Sequence, residues 1–132
     1  MKVAKIKPLI SVVDDDQSMR EALRGLMKSL GYRAEVFASA EEFLSSCQVP
    51  RTSCLIADVQ MPGMTGLELH RHVATSGKTI PTILITAYPD DRMRERALED
   101  GVVGYLSKPF NENDLLAFIR SSHEAATSSP EK

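Results

Sequence analysis

Five times along the chain a short strand-like run, mostly apolar in all but the second, is followed by a capped segment of helical periodicity, and that alternation leaves few folds open. The runs fall at residues 9–13, 33–37, 53–57, 80–86 and 102–106. After the first, Asp16 caps a helix whose apolar positions Met19, Leu23, Leu26, Met27 and Leu30 recur at helical spacing until Gly31. After the second, Ser39 and Glu42 form a capping box ahead of Phe43 and Leu44, and Pro50 closes the unit. Thr65 and Glu68 repeat the box ahead of Leu67, Leu69, His70 and Val73, with Gly77 as the stop. Pro89, Asp90 and Asp91 open a charged helix that Gly101 ends, and Asn111 with Asp114 open a last one carrying Leu115, Leu116, Phe118 and Ile119. Strands joined through helices must run parallel, with right-handed crossovers and helices on both faces. The expectation is an α/β fold, (βα)5, with a doubly wound five-stranded parallel sheet.

At 132 residues such a chain forms one domain around one core. Cys47 and Cys54 form no CxxC pair, as expected of reduced thiols in a cytoplasmic protein rather than a zinc site. His70 and His72 lie two apart in a helix and face different ways, so they cannot chelate one ion. The basic start, Met1 to Pro8, leads into an apolar run that soon meets three aspartates, unlike a signal peptide. No stretch approaches the roughly eighteen apolar residues a membrane helix needs. A net charge of −2 with no dominant basic face argues against direct nucleic-acid binding by this chain. Residues 121–132 are small and polar, like a tail or the start of a linker.

The polar residues that matter all follow strands. Asp14 and Asp15 follow the first, Asp58 the third, Thr86 the fourth and Lys108 the fifth. In an open parallel sheet, ligands bind outside the carboxyl ends of the strands at the switch point. With strand order 2-1-3-4-5 the three acids converge there. One aspartate satisfies a helix cap, but three are more than capping requires. Clustered carboxylates repel unless neutralised, and hard oxygen ligands suit Mg²⁺. From Cys54 to Gly66 an apolar run ends on Asp58, and Pro62, Gly63 and Gly66 then force a turn, leaving the acid at a strand end. A lysine there supplies a point charge for a phosphoryl oxygen, and a threonine hydroxyl can donate to a second.

As a set, these residues resemble the receiver domain of two-component response regulators. The resemblance spans residues 8–120, through Val12, Val13, Asp14, Asp15 and Asp16; the run from Asp58 to Gly66; Thr86 and Ala87; and Lys108, Pro109 and Phe110. The run Phe37, Ala38, Ser39, Ala40, Glu41, Glu42, Phe43, Leu44 is similar to the FixJ-like subfamily. The fold implied is flavodoxin/CheY-like. The domain limits expected are an extension over 1–7, the receiver over 8–122, and a tail or linker over 123–132.

The resemblance implies that Asp58 accepts a phosphoryl group from a histidine kinase. It implies that Asp14, Asp15, Asp58 and the main-chain carbonyl of Gln60 hold Mg²⁺, and that Lys108 and Thr86 grip the acyl phosphate. The chain would catalyse only its own phosphorylation and dephosphorylation. Thr86 and Tyr105 would be the switch pair, and Lys108–Pro109 would be cis, although an X–Pro bond is mostly trans on sequence grounds alone. Gln60 and Tyr88 flank the path of attacking water and would tune the phosphoryl lifetime. The fourth helix, with Arg92, Arg94, Glu95, Arg96 and Glu99, is either a dimer surface together with the fifth strand or a solvated face. Output through transcription is implied by the subfamily. A competing assignment, a Mg²⁺-dependent aspartyl phosphatase using Asp14 and Asp16, fits less well, because Ser18 stands where such enzymes carry Thr or Val and no substrate cap is present. A flavodoxin-like carrier fits less well still, since its first loop needs Ser, Thr and Gly.

Overall fold

The computed structural model describes residues 7–127. Its elements run β1 (Leu9–Val13), α1 (Gln17–Ser29), β2 (Arg33–Phe37), α2 (Ala40–Leu44), a 3₁₀ turn (Val49–Arg51), β3 (Cys54–Asp58), α3 (Gly66–Thr75), β4 (Thr82–Thr86), α4 (Asp91–Glu99), β5 (Gly104–Ser107) and α5 (Glu112–Thr127). All four strand pairings are parallel and the order is β2-β1-β3-β4-β5. This is the arrangement expected from the alternating runs.

Burial follows position in the sheet. The central strands β1, β3 and β4 are buried at every residue, which is why they read as mostly apolar runs. β2 lies at the edge and alternates between exposed and covered positions. Two cores sandwich the sheet. On one face Phe43 from α2, Leu67, Leu69 and Val73 from α3, and Ala97 from α4 pack on Val13, Leu55, Ala57 and Leu84. On the other, Leu23 and Met27 from α1 and Leu115 and Ile119 from α5 cover Ile10, Val12, Ile56, Ile83 and Ile85.

The ends of the elements differ from expectation by a residue or two, where hydrogen-bond geometry rather than hydropathy decides. β3 starts at Cys54 and runs through Asp58, β4 starts at Thr82, and β5 is Gly104–Ser107. At α2 the Ser39 side chain accepts from the Glu42 N–H, but Glu42 reaches back to the N–H of Ala38 rather than of Ser39. The box at Thr65 and Glu68 is complete. α5 continues past Ser122 to Thr127, and the rest of the polar segment, like most of the N-terminal extension, lies outside the described residues.

The two thiols have opposite environments. Cys47 is exposed, whereas Cys54 is fully buried in β3 and burial pushes its thiol up to about 12. Only a thiolate alkylates readily. Iodoacetamide should therefore label Cys47 alone in the native chain at every pH from 7 to about 9, and Cys54 only after denaturation. Native labelling of Cys54, read by peptide mass, would contradict this burial.

Candidate functional site

The site forms where β1 and β3 end side by side. Asp14 follows β1, and its N–H donates to the Phe37 carbonyl, extending the ladder by one residue. Its carbonyl accepts from Arg20, whose guanidinium reaches back from α1 at 2.8 Å. Its carboxylate accepts the Asp16 N–H at 2.9 Å on Oδ1 and the Lys108 ammonium at 3.1 Å on Oδ2. Asp16 turns away to cap α1, accepting the Ser18 N–H. Asp58 is the last residue of β3; Oδ1 accepts the Gln60 N–H at 3.1 Å and Oδ2 accepts from Lys108 at 3.2 Å. One ammonium thus bridges two carboxylates, both almost fully buried.

Carboxylate oxygens of Asp14, Asp15 and Asp58 all lie within 4.8 Å of one another. Three hard, anionic oxygen donors at that separation suit a divalent cation such as Mg²⁺, with carbonyl and water oxygens completing its shell. Burial, and next the charge of Asp14, push the Asp58 carboxyl above its usual value, against the opposing pull of Lys108 and the Gln60 N–H. For Lys108, burial alone would lower the ammonium, but its bonds and attraction to Asp14 and Asp58 outweigh that and hold it above its usual value.

Thr86 ends β4 and is fully buried. Its hydroxyl donates to the side-chain carbonyl oxygen of Gln60 and accepts the Tyr88 N–H at 2.9 Å. The strand register sets Tyr105 beside Leu84 and Ser107 beside Thr86, so Tyr105 and Thr86 share the face covered by α2, α3 and α4. The Tyr105 hydroxyl is occluded and no hydrogen bond of ordinary geometry closes on it, though the main chain of Asp90 lies close enough to affect it. Burial raises the Tyr105 phenol. Tyr88 is 72% exposed. The Lys108–Pro109 bond is cis.

Every expected site residue therefore lies on one rim, with Tyr105 one step down β5. Three contributors were not visible in sequence. Arg20 braces Asp14 from six residues away. Glu41, on α2, accepts the Met64 N–H at 3.2 Å and so ties down the loop after Asp58. The Gln60 side chain engages Thr86. None of these has a motif, because each depends on elements meeting in space. Gly66 is different: a Cβ there would stand 2.5 Å from the Asp58 carbonyl oxygen, so glycine is needed for α3 to start against the end of β3. Gly66→Ala should cost about 1–3 kcal/mol, since the clash is with main chain that cannot swing aside. Denaturant unfolding measures it, and an unchanged midpoint would show that the approach is looser.

Comparison with known proteins agrees with this fold. The family model described as "Response regulator receiver domain" matches residues 10–120. The chain belongs to this receiver family. Response regulator protein TmoT of Ectopseudomonas mendocina is 41% identical over 118 residues, covering 89% of this chain and 54% of that protein. Among solved structures, response regulator StyR superposes with a TM-score of 0.81 at 41% identity, covering 89% of this chain and 59% of that one. The FixJ N-terminal domain superposes with a TM-score of 0.80 at 30% identity, covering 91% and 96%. The receiver spans about half the length of the curated relatives it matches. Among the described residues no helix is long and apolar enough to cross a membrane.

Proposed function

We propose that this receiver is a phosphorylation-controlled switch in which a sensor histidine kinase delivers a phosphoryl group to Asp58. The observation that carries the proposal is the single Lys108 ammonium shared by Asp14 and Asp58 at the edge of a three-carboxylate cluster. Asp14, Asp15, Asp58 and the main-chain carbonyl of Gln60 would hold Mg²⁺. When bound, the ion offsets the negative charge of donor phosphate and carboxylates.

The protein's own groups do the rest. The Asp58 carboxylate attacks phosphorus in line; a new O–P bond forms as the P–N bond of the donor phosphohistidine breaks, and the imidazole leaves with that electron pair. Lys108, already pointed at the carboxylate, stays beside the transferred group and stabilises its equatorial oxygens. Thr86 donates its hydroxyl to one of those oxygens, which requires it to move, and Tyr105 follows into the space vacated on the same face. Gln60 and Tyr88 tune how long the group survives hydrolysis.

The changed surface lies at α4, β5 and α5. Arg92, Arg94, Glu95, Arg96 and Glu99 of α4 are all exposed, and among the described residues none makes an ion pair within its own helix. That leaves them available to a second copy of the chain. Relatives named as transcriptional regulators, FixJ among them, support an output on transcription. In this proposal the receiver occupies residues 8–122, works in the cytoplasm and binds no nucleic acid itself. The phosphatase alternative loses its acid, because Asp16 is committed to capping α1. The test is intact-mass spectrometry after incubation with Mg²⁺ and acetyl phosphate: one labile phosphoryl adduct, prevented by EDTA, is expected, and no adduct on folded protein would overturn the proposal.

A further inference from the structure

The Thr86 hydroxyl must reach Asp58 for the proposed switch to operate, yet its bonds lead elsewhere. A hydroxyl carries one proton, and this one goes to Gln60 Oε1. Its oxygen accepts the Tyr88 N–H at 2.9 Å. Thr86 is fully buried, so water offers it no substitute partner. Gln60 itself is exposed and lies on the loop after Asp58, and its side chain folds inward to make this contact. Its own N–H meanwhile donates to Asp58 Oδ1. One residue therefore holds the acceptor through its main chain and the switch hydroxyl through its side chain.

We infer that the Gln60 side chain is a latch, a positioning residue that retains the Thr86 hydroxyl until a phosphoryl group on Asp58 outcompetes it. The inference rests on the proposed role of Asp58 and adds to it the element that sets the switching threshold. A phosphoryl oxygen is charged and is the stronger acceptor, so the exchange proceeds once the group is present. The bond to Gln60 must be given up first, and any ligand that needs Thr86 turned toward Asp58 binds more weakly by that factor. The latch is neutral, and its arm is free to swing into solvent once released. It therefore delays commitment without blocking it.

Beryllium trifluoride with Mg²⁺, titrated calorimetrically onto the full chain, serves as the phosphoryl mimic. Gln60→Met and Gln60→Leu both remove the acceptor and should each bind it about five-fold more tightly than the native chain, the equivalent of one ordinary hydrogen bond. In a Thr86→Val background, where no hydroxyl remains to be held, Gln60→Met should change nothing. Equal affinity in the native chain and both single variants overturns the latch, as does a gain that persists without the Thr86 hydroxyl. Acetyl phosphate labelling separates the two levels: a native chain that gains no phosphoryl mass overturns the role of Asp58 and the latch with it. A native chain that labels normally while the Gln60 variants bind the mimic unchanged overturns the latch alone.

Discussion

Given Mg²⁺ and acetyl phosphate, the native chain should gain one labile phosphoryl group and the Asp58→Asn chain should gain none. An amide has no anionic oxygen with which to attack phosphorus. Asp16 cannot replace it, because its carboxylate is turned away to cap α1. The same substitution should stabilise the metal-free fold at neutral pH. The Asp58 carboxyl is raised in the folded chain by burial and then by Asp14. A raised carboxyl binds its proton more tightly when folded. Its contribution to stability is therefore full at pH below the unfolded value of 3.8 and is lost as pH rises through the folded value. Above that range the buried charge is a net cost, and asparagine removes it. Thermal unfolding at pH 7 in EDTA should show a higher midpoint for Asp58→Asn, with the gap closing as the pH falls toward 4. Equal labelling of both chains would move the acceptor to another residue, and a variant less stable at pH 7 would mean that Lys108 more than offsets burial.

Lys108→Met should slow phosphoryl uptake by roughly 10²–10³-fold, the usual cost of removing one preorganised group from developing negative charge. The ammonium sits 3.1 Å from Asp14 and 3.2 Å from Asp58, at the place where the oxygens of the proposed phosphoryl group would gather, so it would need no reorganisation. Before phosphorylation it has a second effect. A cation resident between the two carboxylates competes electrostatically with any metal bound to them. Its removal should tighten Mg²⁺ binding even as it slows transfer. Those opposite signs separate a charge effect from simple damage to the fold, which would weaken both. Labelling kinetics by mass and Mg²⁺ titration by calorimetry read the two quantities, and an unchanged labelling rate would remove Lys108 from the chemistry.

The fold was legible because its signals are local and repeated. β1, β3 and β4 are covered on both faces, so each reads as a mostly apolar run, and Thr65 with Glu68 mark the start of α3 without ambiguity. Parallel pairing then follows from the intervening helices. The acids, the threonine and the lysine were legible for the same reason. Each ends a strand or lies within two residues of its end, and parallel strands bring their carboxyl ends to one side.

Whatever depends on distance in space was not written in the order of residues. Asp16 as the cap and Asp14 and Asp15 as neighbours of Asp58 followed from their places after the first run, but hydropathy could not say that one ammonium, that of Lys108, bridges Asp14 and Asp58. Nor could it show Arg20 bracing Asp14, Glu41 holding the loop at Met64, or Gln60 retaining Thr86, because those bonds link elements whose packing sets the distance. Residue order settled the periodicity, the strand ends and the kinds of group placed there, for these are properties of neighbours along the chain. Folding settled which oxygen meets which donor, since a hydrogen bond is made or lost within a few tenths of an ångström and only the packed helices and sheet hold side chains to that tolerance.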